Sequence, residues 1–364
     1  MKSLFKYLIT IFIATIFFLP TKEASTKSAA SYILMDETTG RVLLSKDKDS
    51  KRLIASITKI MTATLAIESG KLEDVITIDD SILKAYGSGI YIEIGEKIQL
   101  KDLVFGLMLR SGNDAAIAIA DYISGSEEQF VALMNEKAKE IGMKNTTFYN
   151  ASGLPTPQGN YSSVYDMALL TRYAMKSDMY KTIVGTKKHK VTTNYKTYLW
   201  ENKNKLLRYD YITGGKTGYT EESGRTLVST ASIDGMDLIV VTIRDSDDWN
   251  THLELYDYAK ENYYSYKVLN KNKFKVIGDT YYNDSTFYIK NDLYIPLKKN
   301  ETKSLISHIV LEKKKNYNTG DKVGINEIYL GENLLFSEDI YIIKNNTHTQ
   351  KSFFERIKAW LFND

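Results

Sequence analysis

"ASITKIM" (Ala55–Met61) places a serine and a lysine three residues apart at the head of an apolar run. Two readings compete. Ser56 is either a nucleophile with its own base or a helix cap followed by an ordinary lysine. The spacing alone does not choose, because Ser-x-x-Lys also occurs at Ser3/Lys6, Ser45/Lys48 and Ser81/Lys84. Context separates the four. Ser3 lies in an apolar leader, Ser45 in a charged turn and Ser81 in a polar stretch. Only Ser56 opens a long apolar helix, "SITKIMTATLAIESG", with Gly70 at its end. Residues three apart share a helix face, and Ile57, Ile60 and Met61 would desolvate Lys59. Burial depresses a lysine pKa, and a second cation nearby lowers it further. A neutral lysine can take the proton of a serine hydroxyl, and a helix N-terminus adds a backbone dipole beside the reacting oxygen. Ser56 is also a plausible N-cap.

Two further short motifs follow in order. "RSGND" carries Ser111-x-Asn113, the only Ser-x-Asn in the chain, where an apolar helix breaks. Alone it reads as a turn that caps the next helix. "TGGKTGYT" carries Lys216-Thr217-Gly218, the only Lys-Thr-Gly. Alone it reads as a hairpin with an exposed lysine. On an edge strand facing a cleft, its backbone could pair with an extended peptide, and Lys216 and Thr217 could hold a carboxylate.

Around these motifs the pattern is α+β. "SYILMDETTGRVLLSKD" reads as a hairpin about Thr39-Gly40. "LKDLVFGLMLRSGNDAAIAIADYI" is a pair of helices broken at Ser111–Asn113, "SEEQFVALMNEKAKEIG" an amphipathic helix closed by Gly142, and "SVYDMALLTRYAM" another. "GGKTGYTEESGRTLVSTASIDGMDLIVVTIRD" reads as three strands, with "WNTHLELYDYAKENYY" as a closing helix. A domain that begins and ends in β with helices between predicts one antiparallel sheet with helices around it. From about Lys267 the chain turns rich in Tyr, Asn, Lys and Asp. Strands such as "STFYIKNDLYIPL", "ISHIVLEKK" and "GINEIYL" predict a small, mostly β domain. The expected organisation is a signal peptide over 1–30, a catalytic domain over 31–267, a small β domain over 268–345, and a linker with an amphipathic helix over 346–364.

Composition narrows the function. The 364 residues are 43% hydrophobic and 26% charged, enough for a large domain and a smaller one. A net charge of +3 with acids scattered among the lysines offers no nucleic-acid stripe. There is no cysteine, which excludes disulfides, thiolate metal sites and cysteine catalysis. The four histidines are far apart and form no helical zinc motif. No metal or organic cofactor is implied. Lys2, Lys6, the apolar stretch Tyr7–Leu19, Pro20 and small residues near Ala24 and Ser28-Ala29-Ala30 read as a secretory leader cleaved near 24–30. "TQKSFFERIKAWLFND" gathers Phe353, Phe354, Ile357, Trp360 and Leu361 on one face beside Lys351, Arg356 and Lys358, a pattern that suits a membrane interface.

In this order the three motifs resemble the set shared by class A β-lactamases and penicillin-binding proteins. "LVFGLMLRSGNDAA" and "ITGGKTGYT" extend the likeness to the low-molecular-mass penicillin-binding proteins, the serine-type D-Ala-D-Ala carboxypeptidases, with the flavour of the sporulation-associated branch. The resemblance implies a β-lactamase/DD-peptidase-like fold. It implies Ser56 as the acylated nucleophile, Lys59 as general base, Ser111 as proton relay and Asn113 as a substrate and lysine ligand. It gives Lys216 and Thr217 the substrate carboxylate, and Gly218-Tyr219 an oxyanion hole made by the amides of Tyr219 and Ser56. Arg244 and Arg225 are two candidates for an additional carboxylate ligand, each more in keeping with a structural or surface residue. Implied partners are a peptidoglycan stem peptide, β-lactams as inhibitors and, through the C-terminal helix, the outer face of the cytoplasmic membrane. Three alternatives stand beside this reading. A β-lactamase would need a deacylating Glu between the second and third motifs, and none occurs from Ile141 through Trp200. A DD-endopeptidase or transpeptidase differs only in acceptor. A catalytically silent wall-binding protein would keep the fold without the chemistry.

Overall fold

The structure is a computed structural model and describes residues 28–282 and 285–344. The expected leader and C-terminal amphipathic helix lie outside the described residues. Among those residues no helix is long and apolar enough to cross a membrane.

Five strands form the central sheet: β1 (Ala29–Asp36), β2 (Val42–Lys46), β3 (Ile212–Thr220), β4 (Gly224–Ile233) and β5 (Met236–Asp245). Their order is β2-β1-β5-β4-β3, antiparallel throughout. The first and last strands of this sheet in chain order thus meet at its middle, where β1 pairs β5 from Ala29↔Asp245 to Asp36↔Leu238, and β3 is left as an edge. Strand alternation sends neighbouring side chains to opposite faces. Ile33, Met35, Val228, Ile239 and Val241 join one core, and Tyr32, Leu34, Leu227, Leu238 and Val240 join the other. Both sets are essentially dry, so the sheet is covered on both faces.

The larger core is closed by α1 (Lys59–Glu68), α2 (Leu100–Arg110), α3 (Asn113–Ser124), α4 (Glu127–Ile141), α5 (Val164–Ala174) and α6 (Asp178–Gly185). The other is closed by α7 (Asp248–Asn262) through Leu255, Tyr256 and Ala259. Local signals set the helix limits. Ser126, Ser163 and Ser177 cap α4, α5 and α6 by accepting a backbone N–H, and Gly142 ends α4 at φ +88°. α1 is buried almost all round, Lys59, Thr62 and Thr64 included, and α2 is buried from Leu103 to Leu109.

The C-terminal part is β, as the alternation predicts. β6 (Tyr264–Leu269) pairs β8 (Leu293–Leu297). β7 (Thr286–Tyr288), β9 (Leu305–Leu311), β10 (Lys322–Leu330) and β11 (Asn333–Ile343) form a second sheet in the order β7-β11-β10-β9. It has its own small cores, around Phe287, Val323 and Ile342 and around Ile295, Leu297 and Ile328. The Arg41 guanidinium joins the two parts, donating to both Glu301 oxygens at 2.5 and 3.0 Å and to Pro296 O at 2.8 Å.

Candidate active site

Ser56 sits in a 3₁₀ turn, Ala55–Thr58, that runs straight into α1 at Lys59. The expectation that Ser56 caps this helix is not met. The residue ahead of the turn is Ile54, and no side chain caps it. The tight turn closes on its own backbone, with Ile57 N donating to Ile54 O, so the serine hydroxyl is free to face Lys59, whose Nζ lies 3.1 Å from Oγ. The turn is held under strain. Ala55 has φ +47°, a region that costs a non-glycine residue about 1–3 kcal/mol and persists only when its surroundings enforce it. They do so here. Gly153 packs so closely that a Cβ on it would lie 2.0 Å from Ala55 O, and Thr226 Oγ1 donates to Ile54 O at 3.1 Å.

Lys59 is fully buried. Its Nζ donates to Asn113 Oδ1 at 2.7 Å, to Ser152 O at 2.5 Å and to Ser56 Oγ. Burial pushes its pKa from the usual 10.5 down to about 7, and the Lys203 charge adds to that, against an opposing pull from Asp114. Near neutral pH the lysine is therefore divided between its two protonation states. It can accept a proton from the serine and still be anchored by three acceptors once charged.

Ser111 ends α2 in the left-handed region at φ +63°, and Asn113 is the first residue of α3. The break the sequence shows at this point is the bend that turns both into the cleft. Asn113 spends its oxygen on Lys59 and its Nδ2 on Tyr86 O, at 2.6 Å. The next residue, Asp114, accepts from the amides of Ile90 and Tyr91 at 2.7–3.0 Å and so ties the 86–91 loop to the start of α3. On the opposite wall is the edge strand β3. Lys216 is buried and donates to Thr217 O at 2.7 Å. Burial drives its pKa well below the usual lysine range, with Lys59 and Lys203 adding like-charge repulsion. Gly218 is where β3 meets the serine turn. A Cβ there would come 2.3 Å from Thr226 Oγ1 and 3.0 Å from Ser56 N, so only glycine lets the strand lie against the Ser56 amide. Tyr219 follows, its side chain exposed.

A cleft of about 340 Å³ is lined by Ser56, Ser111, Thr217, Gly218 and Tyr219 together with Ser88, Lys203, Lys205, Arg225 and Trp249. The residues singled out from the sequence are thus brought together, Lys59, Asn113 and Lys216 immediately behind this wall. Several contributors carried no sequence signal. Ser152 acts through a backbone carbonyl. Lys203 lies in a loop, its ammonium 3.1 Å from Ser88 Oγ. The turn-rich "NASGLPTPQGN" was the only hint that Asn150–Asn160 would fold onto the serine turn and α1, where Thr62 Oγ1 of α1 donates to Ala151 O and Asn160 Nδ2 donates to Thr58 Oγ1 of the turn. The two arginines separate. Arg225 lines the serine cleft and pairs with buried Asp248 at 2.8 Å, its guanidinium over Trp249. Arg244, at φ +54°, is absent from that cleft and lines a neighbouring cavity with Lys46 and Asp245, one that Arg225 also borders.

A serine hydroxyl against a buried, largely deprotonatable lysine, beside a strand edge rich in backbone groups and cations, is equipped for acyl transfer from a carboxylate-bearing peptide. Comparison with known proteins agrees with this chemistry. The family described as D-alanyl-D-alanine carboxypeptidase matches residues 20–247, and the C-terminal domain of penicillin-binding protein 5 matches residues 263–347. The chain belongs to the D-alanyl-D-alanine carboxypeptidase family. It is 36% identical over 255 residues to D-alanyl-D-alanine carboxypeptidase DacF of Bacillus subtilis strain 168, covering 67% of this chain and 65% of that protein. It is 36% identical over 244 residues to D-alanyl-D-alanine carboxypeptidase DacC of Escherichia coli K12, covering 63% and 59%. Among solved structures, penicillin-binding protein 5 from Haemophilus influenzae superposes with a TM-score of 0.69 at 26% identity, over 87% of this chain and 97% of that one.

Proposed function

We propose that this chain is a serine D-Ala-D-Ala carboxypeptidase that removes the terminal D-alanine from peptidoglycan stem pentapeptides and is acylated by β-lactams. The observation that carries it is Lys59: buried, 3.1 Å from Ser56 Oγ, with a pKa brought near 7. In this reading Ser56 Oγ attacks the penultimate carbonyl while Lys59 Nζ takes its proton. The amides of Ser56 and Tyr219 receive the oxyanion. Asn113 orients Lys59 and the substrate backbone. Ser111 passes a proton to the leaving amine, and free D-alanine departs. Water then attacks the Ser56 ester with Lys59 again as base, releasing the shortened peptide and restoring the hydroxyl. Thr217 and Lys216 hold the terminal carboxylate.

The cellular setting belongs to the same proposal. The leader-like residues 1–30 would carry the chain across the membrane, and the amphipathic helix expected within 346–364 would hold it on the outer face, with the β domain as a spacer. The resemblance to the sporulation-associated branch extends the proposal to spore-wall formation, and a deletion strain with normal spores would remove that part.

The test is intact-protein mass spectrometry with benzylpenicillin over time, wild type beside Ser56→Ala. A persistent one-drug adduct that the variant lacks supports the proposal. A transient adduct with rapid drug consumption points to a β-lactamase, and no adduct on folded wild type refutes the nucleophile.

A further inference from the structure

The second sheet has two outer strands, and they are not alike. β7 is three residues long. β9 runs for seven residues, Leu305–Leu311, and pairs only with β10 among the described residues. Its other side is an open row of backbone donors and acceptors. Open edges are normally blunted by a lysine, a proline or a bulge. β9 has none of these. Its sequence, "LISHIVL", carries no lysine or proline, and its register against β10 is unbroken. It also holds apolar side chains in water. Leu305, Ile309 and Leu311 turn into the cores of the β domain. Strand alternation therefore points Ile306, His308 and Val310 outwards, with Ile306 55% and Val310 40% exposed.

The outward face continues across the sheet, because directly opposed residues share a face. Ile306 lies opposite Tyr329, and Tyr329 opposite the exposed Leu334. Val310 lies opposite Ile325. Between these two apolar rows is a polar one, where His308 faces Glu327 with Nδ1 3.3 Å from Oε2. The outward side of β9 is thus close to symmetric about its middle: isoleucine, histidine, valine. A twofold axis through His308 sets Ile306 against Val310 of a second copy, and Val310 against the second copy's Ile306. The Leu334–Tyr329–Ile306 row of each copy then runs on into the Val310–Ile325 row of the other. An axis at Ser307 or Ile309 would set Ile306 against His308 or Glu312 instead. A slip of one residue would turn the apolar side chains to opposite faces.

We infer that β9 is a self-association edge: two copies of this chain pair β9 with β9, antiparallel about a twofold axis at His308, and join their four-stranded sheets into one continuous sheet. The same patch serves both copies, as a twofold interface requires. The pairing satisfies the open backbone groups of both edges and takes Ile306 and Val310 out of water. It uses no residue of the serine site and does not depend on the carboxypeptidase reading. An interface one strand wide gives a weak dimer, with Kd on the order of 10–100 µM.

The experiment is disulfide trapping on the full chain, which has no cysteine of its own to confuse the result. Ile306→Cys, His308→Cys and Val310→Cys are oxidised singly, and Ile306→Cys is also oxidised mixed with Val310→Cys. Opposed Cα atoms of an antiparallel pair are about 5 Å apart, within disulfide reach. Two copies of position 306 are four residues out of register, about 14 Å along the strand, and out of reach. His308→Cys should link to itself, and Ile306→Cys should link to Val310→Cys in the mixture. Each of those two alone should link at least roughly tenfold more slowly, and intact mass separates mixed from self-linked product. Wild type should show a concentration-dependent dimer in sedimentation equilibrium. His308→Lys puts like charges face to face on the axis and should remove that dimer with the circular dichroism unchanged. Equal cross-linking at all three positions means random collision or another register and overturns the inference. Wild type that stays monomeric roughly tenfold above the expected Kd, with no self-linked His308→Cys, also overturns it and leaves the edge to a different partner.

Discussion

Replacing Lys203 by alanine should move the pH dependence of acylation to higher pH. Lys59 must be neutral to accept the Ser56 proton. With its pKa near 7, the acylation rate should climb about tenfold per pH unit below that value and level off above it. Burial is the main cause of the depressed pKa, and Lys203 is the next. Removing one positive charge therefore leaves Lys59 easier to protonate, and its pKa rises. Two neighbouring charges at an effective dielectric of about 20 interact by more than 1 kcal/mol. The Lys203 side chain is exposed to water, however, which discounts the interaction to about half a pKa unit. The expected result is an acylation rate about threefold lower at pH 6 and little changed at pH 9, measured by stopped-flow with a chromogenic β-lactam. High salt should narrow the gap between variant and wild type, because it already screens Lys203. An acid limb that stays in place, or a loss equal at all pH values, would refute the electrostatic argument and leave Lys203 as a contact for substrate alone.

Two other outcomes follow from the same geometry. Gly218→Ala forces a methyl against Thr226 Oγ1 and the Ser56 amide; acylation should fall by about 10²-fold, the cost of a misplaced reacting group, and Gly218→Ala/Thr226→Ala should recover part of it. A double variant no better than the single would show that the clash of the methyl with Thr226 Oγ1 is not what displaces the turn. Asp36 and Glu37 are carboxyls raised to about 6 and about 7, first by burial and, for Glu37, then by Asp237. Their folded pKa values exceed the unfolded ones, so the folded state binds more protons between about pH 4 and 7 and stability falls as pH rises through that window. From 3.8 to about 6 the Asp36 contribution is about 3 kcal/mol. Asp36→Asn should flatten the decline in denaturant midpoint between pH 5 and 7.5, and an unchanged slope would count against a protonated Asp36.

Much of this site was legible in the sequence because its motifs coincide with local structural breaks. The Ser111–Asn113 interruption of an apolar helix pair is a physical discontinuity, and it is where α2 and α3 separate. The Gly214–Tyr219 run, read alone, fits a hairpin with an exposed lysine, and an edge strand facing a cleft was the condition for its functional reading; β3 is the edge and Lys216 is buried. Three kinds of feature were not legible. Backbone contributors such as Ser152 O have no side-chain identity to read. Lys203 is one lysine among many until the fold brings its loop to Ser88. The cap assigned to Ser56 failed because serine followed by an apolar helix fits a cap and a 3₁₀ turn equally well, and the choice was made at long range by Gly153 and Thr226. In the C-terminal part, β11 was not among the segments singled out, and β6 crosses the boundary drawn at 267 to pair with β8.

The charge arrangement of the cleft exists only after folding. Lys59 comes from α1, Lys203 from a loop, Lys216 from β3 and Arg225 from β4, yet they converge around one serine, and Asp114 and Asp248 partly offset them. The residues lining the serine cleft include hydroxyls and cations but no carboxylate. Two consequences meet there. Burial, with the Lys203 charge second, keeps Lys59 deprotonatable, and on the proposed reading the cations of the cleft would offer a counter-charge to the substrate's terminal carboxylate. On the proposed reading, with no carboxylate among the residues lining that cleft, Lys59 would act as base for hydrolysis of the ester as well as for its formation. A ligand that stays on Ser56 and blocks water's approach to Lys59 would therefore arrest the site after the first half, without any change in the chemistry of acylation.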